Sequence, residues 1–429
     1  MLELKQIIGK LTWSSIASVV YILVQAVVFL YLSHHLPASD FGIFTISVSS
    51  VLFGINIIEN GLPQSLIQTG DPKEADYNAV LFLNFKTAIF YSIILIIIIA
   101  AIVLLWAEKP IVYPTVTLMP CLFLAAYNKV QLVGLQKELK FKSIAKVEVI
   151  SSFVYLLSIV LAFYFHLGVW ILIIAFLMKY ISVFLLLHFF SYIFSGQFSS
   201  GQNDIREKHY NFGKYIQGEK TVTSILAYAD VFIVTATLGV DVLGFYDVLK
   251  RIVLRPITLL YNGAEQLFYP LFVSSKSDSQ SFLENYGNLN KLSVFIFINA
   301  TCILYLCSPL IINLLPAVYA QYLSTLKLLC VFSAVVVIVN PIDILLYSFG
   351  QSKLFFKWIL SYTVPLLLVI YFTSVNSLNM MLIGLIVFYI IIYAISYFAL
   401  IRKTIIPFRS YFSVLAYSFI VYFLLWQIA

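Results

Sequence analysis

The chain has 429 residues, of which 62% are hydrophobic and 10% are charged, and its mean hydropathy is +0.99. Water-soluble domains are about half apolar and about a quarter charged, so this composition excludes a soluble globular protein and a disordered chain. The net charge of +7 does not by itself indicate a nucleic-acid partner, because basic residues also set the orientation of membrane helices.

Apolar stretches follow one another along the whole chain, and each is long enough to cross a bilayer, which takes about 20 helical residues. We predict thirteen membrane helices, at 12–33, 41–62, 78–106, 112–134, 146–166, 168–193, 213–239, 242–272, 288–308, 322–349, 354–373, 378–401 and 408–427. The sequence therefore predicts an all-α polytopic membrane protein.

Basic residues alternate strictly between the loops that connect these helices. With a cytoplasmic N-terminus, eighteen Lys and Arg residues fall in the inside segments, and the outside loops hold only Lys109. Cytoplasmic loops are enriched in Lys and Arg, so this asymmetry predicts that the N-terminus is cytoplasmic. Most of the positive charge is thereby assigned to topology, and we expect no nucleic-acid partner.

Residues 194–212 are polar and rich in Ser and Gly (FSGQFSSGQNDIREKHYNF). This composition predicts a flexible cytoplasmic linker. It divides the chain into an N-terminal lobe of six helices at 1–193 and a C-terminal lobe of six helices at 213–401. Residues 402–429 then form an accessory helix.

Two short similarities indicate that the second lobe repeats the first. LPASDFGIFTIS resembles LGVDVLGFYDVL, which aligns Gly42 with Gly244, and GLQKELKFK resembles FGQSKLFFK, which aligns Lys142 with Lys357. Each pair lies at topologically equivalent turns. Two six-helix lobes related by a pseudo-two-fold axis along the membrane normal are typical of transporters, with the substrate site between the repeats.

Ionisable residues inside membrane helices are energetically costly and are therefore candidates for function. The eighth predicted helix carries Asp247, Arg251 and Arg255 four residues apart, hence on one helix face, with Lys250 beside them. Asp247 can neutralise Arg251, and the remaining positive charge would attract phosphate or pyrophosphate, because guanidinium pairs phosphate oxygens bidentately. The alternative is an ion-pair network that only fixes helix packing.

Three lysines lie singly on predicted helices of the first lobe: Lys86, Lys129 and Lys179. Lys179 falls in the middle of its helix, whereas Lys129 is close enough to the inner face for its ammonium group to reach water. Together with Lys250, Arg251 and Arg255, these lysines form the predicted set of anion-binding residues.

The acidic candidates are Asp230, Asp247 and Asp343. Asp230 lies in the middle of the seventh predicted helix, where it either pairs with Arg251 or takes up a coupling ion. Asp343 follows Pro341, which interrupts the tenth helix, so the acid marks either a hinge or a cation site. The sequence holds no nucleotide-binding, metal-ligand or hydrolase motif, and we expect neither a cofactor nor enzymatic activity.

Three segments resemble bacterial polysaccharide exporters of the Wzx type, in the multidrug/oligosaccharidyl-lipid/polysaccharide superfamily: Leu32–Gln68, Gly134–Ser152 and Tyr228–Pro256. The resemblance implies a MATE-like fold of two six-helix lobes with accessory C-terminal helices. Long members of this group often have fourteen membrane helices, whereas we count thirteen, which leaves the C-terminal topology open.

The same resemblance implies a function and a location. The expected activity is to flip an undecaprenyl-pyrophosphate-linked oligosaccharide across the bacterial inner membrane by alternating access, driven by a gradient of H⁺ or Na⁺. The oligosaccharide would be a unit of O-antigen, capsule or exopolysaccharide. Besides this substrate and membrane lipid, a polysaccharide polymerase or a glycosyltransferase is an expected partner.

Two other functions fit the composition less well. A multidrug or cation antiporter of the MATE type needs an acidic or aromatic cavity, which the buried basic residues disfavour. A membrane glycosyltransferase or polymerase needs a large outside loop for its catalytic groups, and the predicted outside loops, such as Leu167–Val169, are short.

Overall fold

The protein is described here from a computed structural model. It describes residues 27–60, 62–69, 72–105, 110–138, 140–190, 203–274, 278–339, 345–346, 349, 351–401, 412, 416–417 and 422. Helices and short turns account for these residues, and none of them lies in a β-strand. The predicted all-α class is confirmed for this part of the chain.

The helices of the first half begin after a helical stretch at 27–33. They are α1 (Ala38–Asn60), α2 (Pro63–Gln68), α3 (Glu74–Leu105), α4 (Val112–Leu118), α5 (Pro120–Lys137), α6 (Phe141–Tyr164) and α7 (Trp170–Phe190). Prolines stand in the first turn of α2 and of α5, where a missing backbone N–H costs no helical hydrogen bond.

The second half is also a succession of helices. They are α8 (Asn203–Leu238), α9 (Val240–Ser274), α10 (Ser279–Leu292), α11 (Asn299–Leu306), α12 (Ser308–Asn313), α13 (Leu323–Val339), α14 (Ser352–Ser374) and α15 (Leu378–Ser396). Two π-helical stretches, Ser293–Ile298 and Tyr397–Ile401, and one 3₁₀ turn, Ala317–Tyr322, continue or connect them.

Nine stretches of the described residues are long and apolar enough to cross a membrane. They are Ala38–Gln68, Glu74–Ala101, Val112–Lys137, Phe141–Tyr164, Trp170–Phe189, Ile216–Leu238, Ala317–Ile338, Lys353–Ser374 and Leu378–Leu400. Each overlaps one of the thirteen predicted helices. The full count remains a prediction, because most of 12–33 and 408–427 lies outside the described residues.

The chain forms two compact units. In its described part, the first unit is Ser39–Phe232, and the second contains residues 27–38 and the residues from Ile233 onward. Within the first unit, α6 packs along α7, and α5 contacts both α3 and α7. Within the second unit, α15 packs against α13 and α14, and α9 against α13. The predicted lobe limits, 1–193 and 213–401, remain a prediction.

The first turns of α8 differ from the expected linker. Residues 203–212 were predicted as part of a flexible loop, but they are helical and continue without interruption into a 36-residue helix. His209 is buried, and the guanidinium carbon of Arg206 lies 4.0 Å from the ring centroid of Phe82. Tertiary contacts with the first unit therefore stabilise a helix whose polar composition alone suggests a loop.

Candidate functional site

In the second unit, the charged face of α9 contains an ion pair. Arg251 Nε lies 2.6 Å from Asp247 Oδ2, and both side chains are largely buried, with exposed fractions of 15% and 10%. The guanidinium carbon of Arg251 also lies 4.4 Å from the ring centroid of Phe29. The predicted neutralisation of Arg251 by Asp247 is thus present, since residues four apart meet on a helix face.

The neighbouring basic residues of α9 are placed differently. Lys250 is partly buried, and its ammonium nitrogen lies 5.4 Å from the ring centroid of Tyr246. Arg255 is exposed on the surface of the second unit. Asp343, the predicted hinge or cation-site acid, lies outside the described residues.

In the first unit, lysines from two different helices interact electrostatically with the same carboxyl group. Glu59 near the end of α1 interacts electrostatically with Lys129 on α5 and with Lys179 on α7. Helix packing therefore brings two of the predicted basic residues within electrostatic range of Glu59. No spacing in the sequence predicts this association. Two basic side chains thus act electrostatically on one acidic side chain.

Asp230 lies on α8 in the first unit and is 8% exposed. Its carboxylate oxygen Oδ1 accepts a hydrogen bond from the backbone N–H of Val231 over 3.0 Å. Burial with a hydrogen bond is compatible with either predicted role. The pairing of Asp230 with Arg251 and its use as a coupling site both remain predictions.

Lys86 lines a pocket of the first unit whose wall includes neither Lys129 nor Lys179. The pocket has a volume of about 760 Å³ and is formed by residues of α1, α3 and α8. Arg206, Glu207 and Tyr210 from the first turns of α8 contribute to its wall. The sequence predicted Arg206 only as one of the eighteen basic residues of the inside segments that set the membrane topology, because its segment has the composition of a loop.

A buried histidine anchors these first turns of α8. His209 Nε2 lies 2.9 Å from Asp76 Oδ1 on α3, and its Nδ1 lies 2.7 Å from Ser65 Oγ on α2. Burial, the larger influence, lowers the pKa of His209 below its ordinary value, and Asp76 partly opposes that shift. No motif in the sequence links these three residues, because His209 is 133 positions from Asp76 and 144 positions from Ser65.

Comparison of the sequence with known proteins finds similarity to proteins of polysaccharide biosynthesis. A family model described as "Polysaccharide biosynthesis protein" matches residues 32–321. The chain is 22% identical over 373 residues to teichuronic acid biosynthesis protein TuaB of Bacillus subtilis (strain 168), which covers 82% of this chain and 74% of that protein. It is 21% identical over 354 residues to lipopolysaccharide biosynthesis protein WzxC of Escherichia coli (strain K12). That alignment covers 81% of this chain and 70% of WzxC.

Solved structures share the fold at lower sequence identity. Lipid II flippase MurJ in an inward closed conformation matches with a TM-score of 0.74 at 12% identity, covering 97% of this chain and 92% of that one. An inward-facing MATE family multidrug resistance transporter of the MOP superfamily matches with a TM-score of 0.72 at 13% identity, covering 96% and 98%. The predicted MATE-like fold is confirmed, and the chain belongs to the family of polysaccharide biosynthesis proteins.

Proposed function

We propose that this protein flips an oligosaccharide linked to undecaprenyl pyrophosphate across the bacterial inner membrane by alternating access. The oligosaccharide is a building unit of O-antigen, capsule or exopolysaccharide. Family membership over residues 32–321 supports a role in the export of lipid-linked sugar. The names of the relatives, which refer to teichuronic acid and lipopolysaccharide biosynthesis, support the same substrate class.

The observation that carries this proposal is that Lys129 and Lys179, on two different helices, both interact electrostatically with Glu59. Ionisable groups on membrane helices are costly, so two lysines near a single carboxyl group are best explained by an anionic ligand. A pyrophosphate supplies such a ligand, and its oxygens accept hydrogen bonds from ammonium groups. We assign Lys129 and Lys179 to the binding of the pyrophosphate.

The remaining basic residues extend the same assignment to the second unit. Arg251 forms an ion pair with Asp247, and Lys250 and Arg255 lie on the same helix. We propose that these three residues, with Lys86 of the first unit, also interact with the anionic headgroup. A cation antiporter would need the opposite charge at these positions, which makes it the weaker alternative.

We assign the driving force to a gradient of H⁺ or Na⁺, with Asp230 as the coupling residue. Asp230 is buried and lies on a membrane helix, so a change in its protonation or cation occupancy would alter the local charge balance. Asp247 is the weaker candidate, because Arg251 already pairs with it. Asp343 stays a candidate on its sequence context alone.

The protein would lie in the cytoplasmic membrane with its N-terminus inside, surrounded by membrane lipid. It would receive its substrate after cytoplasmic glycosyltransferases have completed the lipid-linked unit, and deliver it to a polymerase outside.

The test is a flipping assay with purified protein in liposomes. A fluorescent undecaprenyl-pyrophosphate oligosaccharide is incorporated, and its transfer between leaflets is followed by chemical quenching of the outer leaflet, with and without an ion gradient. The wild type should accelerate transfer. The triple variant E59Q/K129Q/K179Q replaces the acid and both lysines together, and should insert and fold but lose flipping by at least about tenfold.

A matched control is K327Q, which removes a membrane-helix lysine of the second unit that is not among the groups acting electrostatically on Glu59. The ammonium nitrogen of Lys327 lies 5.3 Å from the ring centroid of Tyr305. Flipping by K327Q should stay within about twofold of the wild type. If the triple variant flips at the wild-type rate, these three residues serve helix packing and the proposed role of the two lysines is wrong.

A further inference from the structure

The pocket of the first unit that contains Lys86 is amphipathic along its length. Arg206, Glu207 and Tyr210 line one end and belong to the part of α8 that precedes the apolar stretch Ile216–Leu238. Phe90 and Ile94 line it further along α3, inside the apolar stretch Glu74–Ala101. The charged end is therefore at the predicted cytoplasmic membrane surface, and the apolar end lies deeper.

Between these ends, the pocket offers hydrogen-bonding groups. Lys86 and Thr87 on α3 and Gln217 and Thr221 on α8 all contribute to its wall. Gln217 Nε2 donates to Thr87 Oγ1 over 3.4 Å, which links the two helices across the pocket. The polar groups thus follow the charged end and precede the apolar end.

The charged end is held in place by its own contacts. Arg206 stacks over the ring of Phe82, and His209, one helical turn later, is hydrogen-bonded to both Asp76 and Ser65. A positive group held in a fixed position loses little conformational freedom when it binds a ligand. The pocket is therefore suited to binding rather than being a gap that a rearranging side chain would fill.

We propose that this pocket is a binding site for a membrane lipid with an anionic phosphate headgroup. The phosphate lies between Arg206 and Lys86, and the beginning of the hydrocarbon chain follows Phe90 and Ile94. Basic pockets between membrane helices on the cytoplasmic side bind anionic lipid headgroups in this way. The two sources of this chemistry are an anionic phospholipid and the polyprenyl-pyrophosphate end of the proposed substrate.

Gly218 makes the pocket testable without disturbing the fold. It lines the pocket, and a Cβ added to it would meet no other atom within 4 Å. Gly218→Leu therefore fills the cavity from the surface of α8, and leucine also favours the helix more than glycine does. Gly287 on α10 is the matched control, because a Cβ there likewise meets nothing within 4 Å and it is not part of the pocket wall.

Binding is measured by native mass spectrometry of the purified full chain with three probes. These are phosphatidylglycerol, undecaprenyl pyrophosphate and, as the zwitterionic reference, phosphatidylcholine. The wild type should prefer an anionic probe to phosphatidylcholine. G218L should weaken binding of that anionic probe by at least about tenfold, and G287L should leave it unchanged.

A second pair of variants tests the charge. R206Q should weaken the anionic probe by about tenfold, whereas K208Q, which removes an exposed lysine on the same turn, should change it less than about twofold. If the variants lose binding of undecaprenyl pyrophosphate alone, the site is assigned to the substrate. If they lose binding of phosphatidylglycerol alone, it is assigned to phospholipid. Loss with both assigns it to the phosphate chemistry that they share.

Two results would overturn the lipid site. One is equal binding of the anionic probes by wild type, G218L and R206Q. The other is an equal loss in R206Q and K208Q, which would indicate attraction to the surface charge alone. Because binding is measured without transport, a protein that binds lipid here but does not flip the oligosaccharide disproves the proposed function and leaves this site standing.

Discussion

The imidazole of His209 joins the beginning of α8 to the body of the first unit, with Nε2 2.9 Å from Asp76 Oδ1. Its other nitrogen lies 2.7 Å from Ser65 Oγ, and the side chain is 1% exposed. One residue therefore connects α8 with α2 and α3. This connection also fixes the segment that carries Arg206 into the lipid pocket.

Replacing His209 by alanine should destabilise the first unit. The change removes both hydrogen bonds and leaves Asp76 without this buried partner, which costs about 2 to 3 kcal/mol. The expected result is a lower midpoint of thermal unfolding for the purified protein in detergent. His34→Ala is the control, because His34 is exposed and its Nδ1 lies 3.0 Å from the carbonyl oxygen of Leu30 in its own turn. Equal midpoints for H209A and wild type would contradict the anchoring role.

The stability of the protein should fall as the pH is lowered through the titration of His209. Burial lowers the pKa of His209 below its ordinary value of 6.5, despite the opposing effect of Asp76. The unfolded chain therefore binds a proton more readily than the folded one does, so this contribution to stability is present above pH 6.5 and is lost below it.

The measurement compares thermal midpoints of wild type and H209Q at about pH 7.5 and about pH 5.5. The wild type should lose more on acidification than H209Q does. The charged groups near the imidazole are Asp76 on α3 and Lys208 on α8 itself, and Lys137 on α5 bonds to the nearby carbonyls of Leu66 and Thr69. A pH response in H209Q as large as that of the wild type would assign the effect to other groups.

Replacing one partner of the Asp247–Arg251 ion pair on α9 should destabilise the protein more than replacing both partners. Asp247→Asn leaves Arg251 without its carboxylate partner in a largely buried position, which we expect to cost about 2 to 4 kcal/mol. D247N/R251Q removes both charges and should be less destabilised than the sum of the two single changes, by about 1 to 3 kcal/mol. Thermal unfolding of the wild type, D247N, R251Q and D247N/R251Q completes the double-mutant cycle. Strict additivity would mean that the pair contributes nothing.

Replacing two glycines on membrane helices by alanine should change the stability of the protein in opposite directions. A Cβ at Gly54 would overlap the ring of Tyr91 and lie 2.8 Å from Leu122 Cδ2, whereas a Cβ at Gly218 meets open space. Tyr91 donates a hydrogen bond to the carbonyl of Ser50, so its displacement also weakens that contact.

Gly54→Ala should therefore lower stability by about 1 to 3 kcal/mol, and Gly218→Ala should raise it by up to about 1 kcal/mol. Both changes give the same gain in helix propensity, so their difference isolates the steric clash. Thermal midpoints that move in the same direction would show that the ring of Tyr91 relaxes without cost.

The positions of the membrane helices could be predicted because a long apolar stretch is stable in the bilayer whatever the rest of the chain does. The predicted helix at 146–166 corresponds to α6, and that at 354–373 to α14. The contact between Asp247 and Arg251 was predictable for a similar reason. Their spacing of four residues fixes their neighbourhood within one helix, whatever the rest of the protein does.

The beginning of α8 was not predictable in this way. The segment NDIREKHYNF has no apolar stripe of membrane character, and a polar Ser- and Gly-rich stretch precedes it. Its helical structure depends on contacts of His209 and Arg206 with residues more than a hundred positions away. No local pattern encodes such contacts.

The sequence by itself determined the all-α membrane class, the location of the long apolar helices and which residues bring charge into them. These properties depend on composition and on spacing along one helix. Only the tertiary structure decided that Lys129 and Lys179 both come within electrostatic range of Glu59, and that Lys86 shares a pocket with Arg206. Such groupings depend on how separate helices pack, and the free energy of that packing is spread over many contacts between residues distant in the chain.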